Sequence, residues 1–358
     1  MDAIGNSYIN KHKSVEMQKI KNIDVINYLR GFAIFTIVTM HLVQQYCTGT
    51  FSKLILWGGA GVHVFFLISG FGLYYSHLHK PLKFISFLRK RFSKIYIPYF
   101  IMVLFWCVYI FFDTHNFPLK ELLSHIFLYK MFSPELDVSL CYHYWFISSI
   151  IQFYLTWNII VKLFKMRKGL LIAFLISIAW WVAIWVIGYD GERNYASFFL
   201  QYLWEFCLGM WIAQKTYKNG SLTCITNKLK KVYLLFFCII GSSISAIMAW
   251  SDGFLKIFND VPSLIGYISG LLFIYSFNIR YINRFFSWSS SFSYELYLVH
   301  SFVFVLVYRI LPEKIPIMIS ILLNLFFAYI IAYCFSLCIK HFKTFFIKLN
   351  NKNVYFKQ

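Results

Sequence analysis

Acidic residues are scarce in this chain, with 14 Asp and Glu among 358 residues against 34 Lys and Arg. Charged residues of both signs make up 13%, about half the share usual in a soluble domain, which excludes an ordinary water-exposed globular surface. Proline is limited to 7 residues, so long apolar stretches run with few breaks. The first 25 residues are polar and contain lysines. They lack the short apolar core and small-residue cleavage site of a secretory signal peptide, so membrane targeting is expected to come from the first apolar span. The eight cysteines show no metal-ligand spacing. Cys47 and Cys141 could both face outward, yet spacing alone gives no ground for a disulfide between them. No inverted repeat and no matched pair of Gly- or Pro-broken spans is present, which weakens a transporter architecture.

What the chain holds instead is apolar and aromatic: 59% hydrophobic residues, with 41 Phe, 26 Tyr and 11 Trp. Ten stretches near twenty residues long are apolar enough to span a bilayer as helices: 26–46, 54–76, 95–112, 144–161, 169–188, 196–214, 232–250, 261–279, 289–308 and 315–339. The expectation is an all-α polytopic membrane protein with about ten transmembrane helices. A cytoplasmic N-terminal tail over 1–25, one membrane domain over 26–342 and a cytoplasmic C-terminal tail over 343–358 complete it. An even number of spans puts both termini on one side. When the polar segments are assigned alternately, that side carries 26 of the 34 basic residues, and nine of the fourteen acids fall opposite. The positive-inside rule makes the rich side cytoplasmic. The net charge of +20 is thereby accounted for by topology, with no nucleic-acid partner required.

Inside the spans a few ionisable groups need explaining, because a charge in hydrocarbon is costly and usually faces a protein-lined cavity. Arg30 and His41 lie eleven residues apart in the first span. Eleven helical steps amount to three turns plus about 20°, so the two share a face about 16 Å apart along the axis. Two snorkelling or packing side chains are the plain alternative. His63 stands in the second span, Glu205 in the sixth, and Glu295 with His300 in the ninth. The first and ninth spans run the same way. Glu295 is therefore expected at the depth of Arg30, as its ion-pair partner, with His300 about 7 Å further out.

A neutral histidine in an apolar span suits general-base work. His41, in the outer half, is the expected catalytic residue, and His63 could line the same cavity or simply pack. No Glu-x-x-His or His-x-x-x-His pair lies on these helices, so no metal is expected. Gly58, Gly59, Gly61, Gly70 and Gly72 in the second span read first as close helix packing. Ser69 lacks the strand-to-helix setting of a nucleophile elbow. Arg89, Lys90, Arg91 and Lys94 form a basic cluster before Pro98, either a positive-inside anchor or ligands for the phosphates of a cytoplasmic cofactor. The longest connection, 113–143, contains a mixed stretch from Leu122 to Tyr129 suited to the interface or to a cavity mouth.

Six segments fall in a telling order. Asn27-Tyr28-Leu29-Arg30-Gly31 is followed by His41. Phe65-Phe66-Leu67-Ile68-Ser69-Gly70-Phe71 comes next, then Lys90-Arg91-Phe92-Ser93-Lys94-Ile95-Tyr96-Ile97-Pro98. Tyr144-Trp145-Phe146-Ile147-Ser148 with Gln152-Phe153-Tyr154, Leu208-Gly209-Met210, and Ser293-Tyr294-Glu295-Leu296-Tyr297-Leu298-Val299-His300 complete the series. Together they resemble the acyltransferase-3 family of integral membrane O-acyltransferases over about residues 24–340.

The resemblance implies transfer of an acyl group, commonly acetyl from cytoplasmic acetyl-CoA as co-substrate, with no permanently bound cofactor. The acceptor would be a hydroxyl of a surface or exported polysaccharide, or of a lipid-linked glycan, at the outer face of the cell membrane. It implies catalytic roles for His41 and Arg30, support from Glu295, His300, His63 and Ser69, and CoA phosphate contacts from Arg89, Arg91 and Lys94. Polysaccharide synthesis and export proteins become possible partners. Two departures stand out. Ser149, Ile150 and Ile151 occupy positions where many members carry a glutamate pair, and Lys94 replaces an arginine, keeping the charge without the bidentate fork. A permease or exporter with Arg30, His41 and Glu295 as a polar path, or an accessory subunit of a polysaccharide synthesis complex, are the alternatives.

Overall fold

The structure is a computed structural model that describes residues 24–47, 49, 55–137, 139–189, 191–220, 222, 230–251, 255, 258–311 and 315–355. The expected N-terminal tail lies almost wholly outside them. No strand occurs among the described residues. The long helices are α1 (Asp24–Val43), α2 (Gly61–His79, entered through a 3-10 turn at Leu56–Ala60) and α3 (Phe84–Thr114). Two short helices follow, α4 (Leu119–Ile126) and α5 (Pro134–Asp137), and then the bent pair α6 (Trp145–Leu155) and α7 (Trp157–Lys165). The remainder are α8 (Gly169–Ile187), α9 (Arg193–Ala196), α10 (Leu203–Asn219), α11 (Lys231–Trp250), α12 (Asp260–Tyr275), α13 (Arg280–Ser290), α14 (Ser293–Ile310) and α15 (Ile317–Tyr355).

The chain is an all-α polytopic membrane protein. Each of the ten expected spans holds helix, but among the described residues seven helices are long and apolar enough to cross by themselves, or eight with α6 and α7 taken as one broken span. The expected span 196–214 is a 3-10 turn at Phe199–Tyr202 leading into α10, whose second half turns polar with Gln214, Lys215 and Lys218. The span expected at 261–279 is α12, shorter at 16 residues. The one expected at 144–161 bends by 63°. At the break the Thr156 hydroxyl donates to the Gln152 carbonyl at 2.7 Å, the back-bonding that bends helices. The boundary expected at 342 falls inside α15, which continues to Tyr355. Outer faces are apolar without protein cover: Phe112, Val186 and Val232 are 73%, 69% and 74% exposed, as side chains in contact with lipid are.

Where helices touch, small residues bring backbones together. α2 and α10 pack along each other, and a Cβ added at Gly70 would stand 2.0 Å from the Phe206 carbonyl oxygen, one at Gly209 1.9 Å from that of Leu67. Glycine packing, expected for this span, holds at Gly70. Gly72 faces open space instead. Gly70→Val is therefore expected to part the two backbones, at a cost at or above the roughly 3 kcal/mol upper end of ordinary overpacking. Loss of the monodisperse gel-filtration peak in detergent checks it, with Gly72→Ala as the variant expected to leave thermal stability unchanged.

The basic cluster before Pro98 is helical, within the first turns of α3, and the helix continues past Pro98. Proline has no N–H and crowds the carbonyls one turn back, here those of Lys94 and Ile95. The Tyr294 hydroxyl donates to the Ile95 carbonyl at 2.8 Å. That bond satisfies a loosened carbonyl and ties α14 to α3.

The 113–143 connection folds over one end of the bundle. His125 on α4 is fully buried, with Nδ1 2.6 Å from the Tyr99 hydroxyl. Burial, and then the nearby Lys130 ammonium, push this imidazole down to about 3, so it is neutral here. Lys130 is itself buried and points its ammonium at the carbonyls of Ser139, Leu140 (2.8 Å) and Cys141 (3.3 Å). Leu140 and Cys141 take positive φ, 27° and 58°, and the three carbonyl bonds hold them there. The outcome is a fixed approach to His143 and Tyr144. Cys47 and Cys141 are free thiols.

Candidate active site

Two cavities of about 640 and 600 Å³ lie end to end among the same helices. α1 sends Arg30 to the first and His41 to the second. α2 sends Ser69 to the first and His63 to the second; α3 sends Arg91 and Lys94 to the first and Trp106 to the second; α14 sends Glu295 to the first and Ser301 to the second. Only four residues line both: Ile37, Val62, Phe146 and Tyr297. These shared residues, three apolar and one tyrosine, form the partition where the two cavities adjoin.

The first cavity is basic. Arg30, Arg91, Lys94, Lys340 and Lys343 line it against one carboxylate, Glu295. The last two lysines come from α15 and were counted from the sequence only among the cytoplasmic-side charges. Arg91 Nε is buried with no hydrogen-bond partner, a donor left over for an anionic ligand. The N-terminus of α14 opens on the same space with Ser290, Ser291 and Ser293, adding a helix end suited to anions. The expected Arg30–Glu295 ion pair does not form: no ion pair within 4.0 Å joins them. Glu295 sits instead in the field of Lys340, Lys94 and Lys343. Arg89 is exposed and lines neither cavity.

In the second cavity, His41 Nδ1 lies 2.9 Å from His300 Nε2, with the two rings within 13° of parallel. The protons can be placed by exclusion. His300 Nδ1 faces the carbonyls of Tyr297 at 2.8 Å and Leu296 at 3.1 Å. Carbonyls only accept, so this nitrogen carries the hydrogen, and Nε2 of the neutral ring is left as an acceptor. His41 Nδ1 must then donate to it. His41 Nε2 is consequently the nitrogen with a free lone pair. His143, passed over in the sequence because it lies in a connection, completes the group. Its ring is 4.5 Å from that of His300 and 5.8 Å from that of His41, and its Nδ1 is 3.2 Å from the Ser301 hydroxyl.

A second cluster borders the same cavity. His63 Nδ1 is 2.7 Å from Glu205 Oε1, and its Nε2 is 3.7 Å from Asp260 Oδ1. Gln201 Nε2 donates to Asp260 Oδ2 at 2.6 Å. The ligand-type atoms of His63, Glu205 and Asp260 all lie within 4.8 Å of one another. The 2.7 Å contact is a hydrogen bond, shorter than the about 3.4 Å that separates two ligands held about 2.1 Å from a tetrahedral ion. Arg193 also lines the cavity, stacked on Tyr142 and Trp145 and donating to the Tyr142 hydroxyl at 2.7 Å. Asp260, Gln201 and Arg193 belong to connections or helix ends. The sequence held one clue: Glu205, a buried acid, had no assigned partner while His63 had none either.

The fourth span supplies no carboxylate. Ser149 is buried and donates to the Ser197 carbonyl, and Ile150 lines the basic cavity. The acids come from α10 and α12 instead.

A helical membrane protein with a basic chamber and a histidine chamber back to back has the parts of a group-transfer enzyme rather than of a passive anchor. A family model described as an acyltransferase domain matches residues 23–341, and the chain belongs to that family, acyltransferase-3. It is a multi-pass membrane acyltransferase that moves groups other than aminoacyl groups. Neither the curated proteins nor the solved structures contain a match.

Proposed function

We propose that the protein is an O-acyltransferase of the cell membrane that moves an acetyl-sized acyl group from cytoplasmic acyl-CoA, through the partition, to a hydroxyl of a surface or exported glycan. The observation that carries this reading is the end-to-end pair of cavities, with five cations on one side of the partition and His41 on the other. Charge asymmetry supports the orientation: the basic chamber belongs to the lysine-rich, cytoplasmic side, which holds both termini. Arg91, Lys94 and the α15 lysines meet the CoA phosphates, for which the orphaned Arg91 donor is suited. Arg30, on the wall of the same cavity, orients the thioester arm.

Beyond the partition, the free Nε2 of His41 meets the acyl carbon. It attacks the thioester carbonyl, the C–S bond breaks, and the CoA thiolate leaves. His300 holds the His41 ring in the tautomer this requires. Acetyl-CoA serves as co-substrate, and glycan synthesis or export proteins are the natural partners for delivering the acceptor. The partition does not favour an exporter, since the contact between the chambers is lined by Ile37, Val62, Phe146 and Tyr297 rather than by a continuous polar path. Ester-linked acetate on surface glycans, measured in cells with and without the gene, tests the function. The acetate is expected to disappear on deletion and return with the wild-type chain, and unchanged acetate would rule the function out.

A further inference from the structure

The second cavity contains more acid–base machinery than a single histidine needs. His63, in the first turn of α2, is 13% exposed, opening on the cavity, whereas Glu205 beneath it is wholly buried. A carboxylate only accepts, so the 2.7 Å contact puts a hydrogen of His63 on Nδ1, and whenever the ring is neutral the lone pair is on Nε2. Among the described residues no hydrogen bond takes up that nitrogen. Asp260 Oδ1 stands 3.7 Å away, beyond hydrogen-bond reach, and the other Asp260 oxygen is engaged by Gln201.

A carboxylate that fixes the tautomer of an imidazole and stabilises the imidazolium formed from it is the arrangement of a general base. His41 lacks such a partner, because its Nδ1 donates to a neutral ring. The two histidines line one cavity but are built for different tasks.

Building on the proposed acyl transfer, we infer that His63, held by Glu205, is the general base that takes the proton of the acceptor hydroxyl, while His41 carries the acyl group. In the second half-reaction the hydroxyl proton passes to His63 Nε2. The oxygen lone pair forms the C–O ester bond, the bond from the acyl carbon to His41 Nε2 breaks, and its electron pair returns to that nitrogen. His63 then releases its proton to water, balancing the proton taken up by the CoA thiolate. Asp260, next to Nε2, accepts from a neighbouring hydroxyl of a polyol acceptor and positions it.

The two half-reactions separate the roles. Isotope exchange between acetyl-CoA and free CoA needs the acyl carrier alone, whereas ester acetate on surface glycans needs both steps. His63→Gln, which can still donate to Glu205, is expected to keep exchange within about threefold of wild type while glycan acetate falls about 100-fold or more, the usual scale of a lost general base. Glu205→Gln, measured in the same way, is expected to spare exchange and lower acetate at least tenfold. In His63→Ala membranes, added imidazole is expected to restore part of the transfer, which a purely structural side chain would not allow. His63→Gln with wild-type acetate, or with exchange and acetate lost together in well-inserted protein, would overturn the assignment. Wild-type protein showing neither exchange nor acetate would instead defeat the transfer reading on which it rests.

Discussion

His41→Ala is expected to lower acyl transfer by about 10³-fold or more, because it removes the carrier nitrogen and not merely a contact to substrate. The variant should insert normally. α1 buries Tyr28, Ala33, Ile34 and Val38 on its packed face, and all four are fully buried; His41 is only half-buried at the cavity wall. Removing it leaves His300 Nε2 without its donor, a cost of about 1–3 kcal/mol when no water replaces it, which an open cavity reduces. Acyl-CoA binding should stay within a few-fold of wild type, since the cations lie beyond the partition. Measured transfer above about a tenth of wild type, in protein that binds acyl-CoA, would exclude His41 as the carrier.

Changing Arg91 and Lys94 together to Gln is expected to raise the KM for acyl-CoA about 10- to 100-fold with little change in kcat. Charge-assisted hydrogen bonds contribute roughly 1.5–3 kcal/mol each, but Lys94 is exposed to the open cavity, so salt screening reduces its share. The same double variant should flatten the dependence of KM on ionic strength. Arg89→Gln provides the contrast. Its side chain lies outside both cavities, so its KM should stay within about twofold of wild type, and an equal loss in both variants would indicate a general surface-charge effect.

The parts of this site carried by local periodicity were legible in the sequence. Arg30 and His41 share one helix and a spacing of eleven, and helical geometry alone puts them at the two ends of a path; Glu295 and His300 follow from the direction of the ninth span. Gly70 was legible for the same reason, as a small residue inside an apolar helix. The Arg30–Glu295 pair was inferred from equal depth, which places both groups at one chamber but says nothing about the lysines of α15 that line it as well. The His63–Glu205–Asp260 cluster depends on three helices meeting, and the His41–His300 contact joins residues 259 positions apart. No periodicity encodes either. The bend at Thr156 falls in a stretch whose hydropathy reads as a single span. The neutral His125 and the carbonyl-bound Lys130 show how a charged, irregular connection can be buried against the helices.

The proposed transfer requires the acyl donor and the acceptor to meet across the partition from opposite faces of the membrane. The direct test is sidedness in sealed vesicles carrying the full-length protein in one orientation, with labelled acetyl-CoA supplied to one face at a time and glycan acceptor to the other. Ester-linked label on the acceptor is expected only when acetyl-CoA is on the face of the basic cavity and acceptor on the face of His41. Equal transfer with donor and acceptor both on the His41 face would contradict the two-chamber path.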